Sequence, residues 1–93
     1  MTQSSRLLQE LIGQTVVIDL RSRYVCLGTL AGHDEAFLDV ADADLHDLRD
    51  STATREMYVF DSQRLGIRRN RERVLIRLDD VVAVTRFGDI AES

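Results

Sequence analysis

Two histidine–aspartate pairs are the residues of this chain whose types could support acid–base or metal chemistry. They are His33-Asp34 and His46-Asp47. Neighbouring residues of a strand point to opposite faces, so neither pair can act as a unit without further ligands. The chain has a single cysteine, Cys26, and no serine nucleophile elbow, glycine-rich phosphate loop or zinc-binding spacing. We therefore predict that the protein is not an enzyme and uses no metal or cofactor.

Charged residues are segregated along the chain. Seven acids accompany one arginine between Asp34 and Asp50, and six arginines accompany one glutamate between Arg64 and Arg77, which gives net charges of −6 and +5. All 12 basic residues are arginine, whose planar guanidinium binds phosphate and stacks on bases. Strand alternation would place Arg69, Arg71 and Arg73 on one face, where they could contact phosphates. The two blocks could also be solvated faces of one subunit or complementary faces of neighbouring subunits.

Apolar spacing predicts five strands behind a short N-terminal helix. Leucines at helical spacing precede Gly13, a residue type that commonly ends helices, and alternating apolar and β-branched residues follow it. Gly28 lies inside the second strand, where it would allow the sharp bend that closes short strands into a small barrel. The predicted elements are a helix at about 4–12 and strands at 15–20, 24–31, 38–44, 74–77 and 81–84.

The same alternation identifies a core. The first strand is apolar at every second position, so we predict that one of its faces is buried. Residues 55–65 do not follow a clear pattern and fit either a helix closed by Gly66 or an irregular strand. The predicted core residues are Val16, Ile18, Leu30, Leu38, Val40, Ile76 and Val82.

Two segments resemble the signature motifs of the Sm-like (LSm) family of small β-barrel ring proteins. The first motif has glycine, any residue, leucine, three residues and aspartate, here Gly28, Leu30 and Asp34. The second has an apolar pair, arginine and glycine, then a turn and an apolar strand, here residues 75–78 followed by 81–84. The resemblance covers about Leu7 to Val84, most of the chain, and is that of a divergent bacterial or archaeal member.

This resemblance implies an all-β fold with a short N-terminal helix and a small, strongly bent, five-stranded antiparallel barrel of the Sm-like, SH3-like kind. It also implies a single domain over residues 1–93. The expected boundaries are the helix at about 4–12, the barrel at about 14–87 and a flexible tail at 88–93.

The first motif departs from the family pattern. Members that bind uridine-rich RNA use an asparagine to bond the base edge, while a neighbouring side chain and the second-motif arginine sandwich the ring. This chain has no asparagine before Asn70. We predict a one-residue deletion that keeps Leu38 and Val40 inward and brings Phe37 into the pocket, because the ungapped register would turn Asp39 into the core. Phe37 could then stack on a base, or it could be a core or interface side chain.

The second motif keeps its arginine and the following acid, which match Arg77 and Asp79, but Leu78 replaces the glycine. Leu78 must therefore either give the turn a different backbone conformation or line the pore at the centre of the ring with an apolar side chain. The candidate RNA-binding residues are Arg77, Asp79, Phe37, Asp34, Arg69 and Arg71.

The expected function is a homo-oligomeric ring of six or seven subunits that binds single-stranded RNA with little uridine specificity. The alternative is a ring or dimer that docks proteins and binds no nucleic acid. A third reading is a PRC-barrel-like domain, which residues 11–16 and 78–82 resemble. The N-terminal residues lack an apolar signal core and no apolar run approaches the ~20 residues that span a bilayer, so we predict a cytoplasmic protein without membrane contact.

Overall fold

The structure, a computed structural model, describes residues 5–50 and 52–91. It contains the predicted short N-terminal helix and five antiparallel strands. Three 3₁₀ turns, at Leu48–Asp50, Leu78–Asp80 and Phe87–Asp89, connect or follow these elements. The main elements are α1 (Arg6–Leu11), β1 (Thr15–Leu20), β2 (Tyr24–His33), β3 (Phe37–Asp47), α2 (Arg55–Leu65), β4 (Arg71–Arg77) and β5 (Val81–Arg86).

The strands form one sheet in the order β4-β3-β2-β1-β5. β4 is paired with β3, and β5 is paired with β1. The 3₁₀ turn Leu78–Asp80 joins β4 to β5, but these two strands are not hydrogen-bonded neighbours in the sheet. The predicted barrel is therefore open along one side, and each edge of the sheet carries unpaired backbone groups.

Gly28 produces the bend in β2 that the sequence predicts. A Cβ atom at this position would lie 2.7 Å from Cγ1 of Val40 and 2.9 Å from the carbonyl oxygen of Ala41. The β2–β3 register shifts here, so that Asp42 and Ala43 both lie opposite Gly28. Asp42 takes a positive φ of 49°, as expected for the extra residue of a bulge that bends its strand. The close approach of β3 to the bare backbone of Gly28 thus leaves no room for a side chain at this position.

The concave side of the sheet holds the inner core. Helix α1 closes one end of it: the side chain of Ser5 caps the helix, and the amide of Gly13 donates to the carbonyl of Leu30 at 2.7 Å. Six of the seven predicted core residues belong to this cluster, and Val82 does not. The inner core consists of Val16, Ile18, Leu20, Cys26, Leu30, Leu38, Val40, Ala43 and Ile76.

The prediction that Val82 is buried is wrong, since 65% of its surface is exposed. Asp19 pairs with Ala83 and Leu20 pairs with Val81, so Val82 is an extra residue without a partner on β1. Strict alternation places Val82 inward, but the bulge shifts the phase of β5. Val81 and Val84 pack against the inner core instead.

Residues 55–65, which fitted two interpretations, form helix α2. The side chain of Thr54 accepts a hydrogen bond from the amide of Met57 at 3.2 Å, which caps the first turn. Gly66 ends the helix with φ of 95°, and its amide donates to the carbonyl of Ser62 at 2.9 Å. Glycine adopts this conformation without the penalty that a Cβ atom would impose.

Helix α2 covers the convex side of the sheet and creates a second core. The prediction of one buried face for β1 is therefore wrong, because Val17 is buried as well as Val16 and Ile18. Phe87 and Ile90, which follow β5, pack against the same cluster. The buried residues of this outer core are Val17, Val25, Leu27 and Val59.

Both ends of the predicted domain lie partly outside the described residues. The N-terminal helix begins at Arg6, and residue 4 of the predicted span is not described. In the predicted flexible tail, Gly88 and Asp89 belong to a 3₁₀ turn, while residues 92–93 are not described. In the described part of the chain, no helix has the length and apolar character needed to cross a membrane.

Candidate nucleic-acid interface

Asp34 organises the β2–β3 turn. Its Oδ1 atom accepts hydrogen bonds from the amides of Ala36 and Phe37, both at 2.8 Å. The amide of Asp34 in turn donates to the carbonyl of Phe37 at 3.0 Å. The two backbone bonds hold the pKa of this exposed carboxyl below its usual value, because they favour its charged form. Asp34 thus fixes the backbone that presents Phe37.

The β4–β5 turn lies beside the β2–β3 turn. The amide of Leu78 donates to the carbonyl of Ala36 at 2.9 Å, and Phe37 and Arg77 are partners in the β3–β4 register. Arg77 Nη2 lies 3.8 Å from Asp79 Oδ2, and both side chains are exposed. The side chain of Leu78 packs against the inner core, so the residue that replaces the family's glycine adds core packing at the turn.

Phe37 and Arg77 line different cavities, although they are opposite in register. The exposed part of Phe37, 36% of its surface, lines a cavity of about 240 Å³ with Asp34, Asp39, Arg73 and Leu75. We call this the outer cavity; Gly32 and His33 complete its lining. Arg77 lines a larger cavity of about 430 Å³, at the open side of the barrel. A base that stacks on Phe37 is therefore not automatically sandwiched by Arg77.

Arg69 and Arg71 lie near the other end of β4. Arg71 is the register partner of Ala43, six residues along β3 from Phe37, which corresponds to about 20 Å of strand. Arg71 donates to the carbonyl of Asn70 at 3.1 Å, and Arg69 Nη1 lies 2.5 Å from Asp42 Oδ1. Four of the six predicted residues thus lie at the paired turns and two near the far end of β4, although Arg71 and Arg77 both line the larger cavity.

The acidic third strand and the basic run pair with each other within one chain. In addition to the Arg69–Asp42 pair, Arg73 bonds Asp39 through Nε at 2.9 Å and Nη2 at 3.1 Å. The sequence left open solvated faces of one subunit or complementary faces of neighbouring subunits, and the structure instead shows these pairs within one subunit. Arg73 was predicted only as a member of the arginine row, and the signal that it matters is its cavity with Phe37.

His46 and Asp47 each contact a different side chain in the structure. The ring of His46 stacks on Tyr58, with centroids 4.1 Å apart and planes at 10°. Asp47 instead bonds Arg49, which lowers the pKa of Asp47 to about 2. Among the described residues, no three histidine, cysteine or acidic side chains are grouped as metal ligands would be.

A polar network that the sequence analysis missed fastens α2 to β3. The nearly buried Asp44 accepts hydrogen bonds from the hydroxyl of Tyr58 and from Nδ2 of Asn70, the latter at 3.1 Å. Asn70 also bonds both backbone groups of Leu45. Burial, together with the bond to Asp44, raises the pKa of the Tyr58 hydroxyl. A buried acid in an otherwise alternating strand was the only signal that could have indicated such a network.

Two solved structures that resemble this one are Sm-like proteins. The chain is 14% identical to an Sm-like protein of Archaeoglobus fulgidus, with a TM-score of 0.60, and the match covers 92% of this chain and 96% of that one. It is 17% identical to the Pyrococcus abyssii Sm protein solved in complex with a uridine heptamer, with a TM-score of 0.61 and coverage of 91% and 99%. No protein-family model and no curated protein matches the sequence. The element order, the bent antiparallel sheet and these two likenesses together show that the chain has the Sm-like fold.

Proposed function

We propose that this protein is a ring-forming Sm-like scaffold of six or seven subunits that binds single-stranded RNA with little uridine specificity. The observation that carries the proposal is the open Sm-like sheet, whose edge strands β4 and β5 have no partner within the described chain. Two solved proteins share this fold over more than 90% of the chain, and one of them was solved with a uridine heptamer.

The edge strands support ring formation. Pairing β4 of one subunit with β5 of the next would satisfy both sets of free backbone groups, and a head-to-tail contact of this kind closes into a ring when its rotation permits. Each edge also exposes an apolar side chain, Leu75 on β4 and Val82 on β5. A neighbouring subunit that covers these side chains would remove them from water.

The turn that presents Phe37 supports RNA binding. An exposed aromatic ring on a rigid backbone offers a stacking surface, and stacking on such a ring contributes about 1–3 kcal/mol per base without selecting the base. Arg77 lies across the strand pair, where its exposed guanidinium can contact a phosphate. The residues around Phe37 include no asparagine or glutamine amide that could read a uridine edge.

Native mass spectrometry and RNA binding by anisotropy test the proposal together. We expect a ring at micromolar concentration and salt-dependent binding of single-stranded RNA. Phe37→Ala and Arg77→Ala should each weaken RNA binding and leave the ring intact. Arg49→Ala is the control, since Arg49 is bonded to Asp47 and lies in the 3₁₀ turn after β3, at the far end of that strand from the β2–β3 turn. A monomer would overturn the ring, and a ring that binds no RNA at low salt would overturn the RNA proposal.

The internal ion pairs favour one alternative, a ring or dimer that docks proteins. Arg69, Arg73 and Arg77 each lie near an acid of the same chain, and the net charge of the chain is −4. Both features reduce the attraction of phosphate. Under this alternative RNA does not bind, and Arg77→Ala lowers the stability of the assembly instead.

A further inference from the structure

The outer cavity combines an apolar stacking surface with an arginine that another side chain holds in place. Phe37 exposes part of its ring there, and Arg73 and Asp39 line the same cavity. Asp39 lies two residues beyond Phe37, on the same face of β3, so about 7 Å of strand separates the ring from the ion pair. This spacing is comparable with the width of a base.

The geometry of the ion pair leaves one side of the guanidinium available. Arg73 uses Nε and Nη2, its lateral side, to bond the two oxygens of Asp39. Arginine has five N–H donors, and no described residue accepts a hydrogen bond from Nη1 of Arg73. The Nη1–Nη2 side can therefore donate two parallel hydrogen bonds to a ligand, while Asp39 holds its plane.

Two acceptors side by side on a planar ring match this donor pair. Guanine presents O6 and N7 in that arrangement, and a bidentate arginine is the most common specific contact to it. Adenine has a donor in place of O6, and the pyrimidines lack an N7 acceptor. Single-stranded RNA exposes both the Hoogsteen edge and the ring face of its bases.

We propose that the outer cavity binds a guanine base of single-stranded RNA, with the ring on Phe37 and the O6–N7 edge on Arg73. Arg73 is the specificity-determining residue, and Asp39 is a positioning residue that acts through it. The inference rests on the proposed RNA-binding function and adds a base preference to it. Uridine and adenine remain undiscriminated.

The test uses a uridine heptamer in which the central base is replaced by guanine, adenine, inosine or 7-deazaguanine. The guanine strand should bind the full-length protein about tenfold more tightly than the adenine strand. Inosine keeps O6 and N7 and should bind like guanine. 7-Deazaguanine lacks N7 and should bind like adenine. If inosine loses the preference, the base is read through its N2 amino group, for example by Asp34, and the proposed contact is wrong.

Variants assign the preference to its residues. Arg73→Lys keeps the positive charge but lacks the planar fork, so the guanine and adenine strands should bind this variant within about twofold of each other. Asp39→Asn should reduce the preference through looser positioning. Arg86→Lys is the matched control, because Arg86 bonds Asp89 through the same two nitrogens but does not line the outer cavity. Thermal melts of each variant confirm that it is folded.

The outcomes separate the two proposals. RNA binding without a guanine preference, or a preference that survives Arg73→Lys, overturns the guanine pocket and leaves the proposed function standing. Absence of binding to all four strands overturns the proposed function, and the pocket with it. Free guanosine monophosphate should compete only at concentrations far above those of the strand, and competition at equal concentration would overturn the assignment to RNA.

Discussion

Replacing Gly28 with alanine tests the structural origin of the bend. The new methyl group would lie 2.7 Å from Cγ1 of Val40, 2.9 Å from the carbonyl oxygen of Ala41 and 3.1 Å from Cα of Ala43. Two of these three atoms belong to the backbone, so rotation of one side chain cannot relieve the contact. Overpacking of a close-packed interior costs about 1–3 kcal/mol, and we expect Gly28→Ala to lie at the upper end of that range.

Gly32→Ala is the matched control. Gly32 is on the same strand, nothing lies within 4 Å of its added Cβ atom, and its φ is not in the left-handed region. Thermal unfolding followed by circular dichroism, at one fixed protein concentration, measures both variants. For a domain of this size each kcal/mol lowers Tm by about 4–8 °C, so Gly28→Ala should melt well below the wild type and Gly32→Ala close to it.

A double variant locates the strain. If the side chain of Val40 were the main obstacle, Val40→Ala would largely rescue Gly28→Ala. The double variant would then be destabilised by less than the sum of the two single variants. Because the carbonyl of Ala41 remains, we expect only partial rescue. Equal melting of Gly28→Ala and Gly32→Ala would refute the conclusion that β3 presses on Gly28.

Three further predictions concern the outer core and the surface acids. Val59→Ala should lower the free energy of unfolding by about 2 kcal/mol, measured in urea. Met57 is exposed on the same helix, so Met57→Ala should change that free energy by no more than about 0.5 kcal/mol. Equal losses would show that α2 does not dock as described. Tyr58→Phe should cost about 1–3 kcal/mol because Asp44 loses a donor in a nearly buried site, and an unchanged urea midpoint would contradict this. Arg49 lowers the pKa of Asp47 from 3.8 to about 2, so the stability that Asp47 provides is present above pH 4 and is lost as the pH falls towards 2. Asp47→Asn should flatten the acid limb of a stability profile between these two values, and identical profiles would refute the pairing.

Much of the inner core could be predicted because it depends on local alternation. Val16, Ile18, Leu38 and Val40 follow period two on stretches of strand that contain no bulge, and all four are buried. The predicted burial of Val82 is wrong because alternation assumes an unbroken register, and the bulge on β5 adds one residue. A bulge depends on how two distant strands meet, which no single strand reveals.

The outer core could not be predicted from α2 itself. Its apolar residues do not form one stripe: Met57 and Leu65 are exposed, while Val59 and the polar Ser62 are buried. A helix of this kind is placed by tertiary contacts, such as the bond of Tyr58 to Asp44, and these are invisible to periodicity.

The sequence predicted the candidate site as a set of residues, and in the structure their side chains do not all line the same cavity. Phe37 and Arg77 are register partners, but the cavities that these two side chains line depend on their orientation. The charge blocks were compatible with solvated faces or with pairing between neighbouring subunits. They could not indicate that Arg73 would bond Asp39 through Nε and Nη2 and keep its Nη1–Nη2 side available to a ligand.

The pairing of β1 with β5 affects when a newly synthesised chain can fold and assemble. Val16 is the register partner of Arg86. During synthesis, β1 therefore cannot pair with β5 until β5, the last strand in the sequence, has left the ribosome. Contacts of such long sequence separation form late, because the loop that they close must be ordered first. Until then the edge of β1 is exposed, and β5 is not yet in place to receive another subunit. We therefore expect assembly to follow complete synthesis of each chain, and truncations that remove β5 to aggregate through β1.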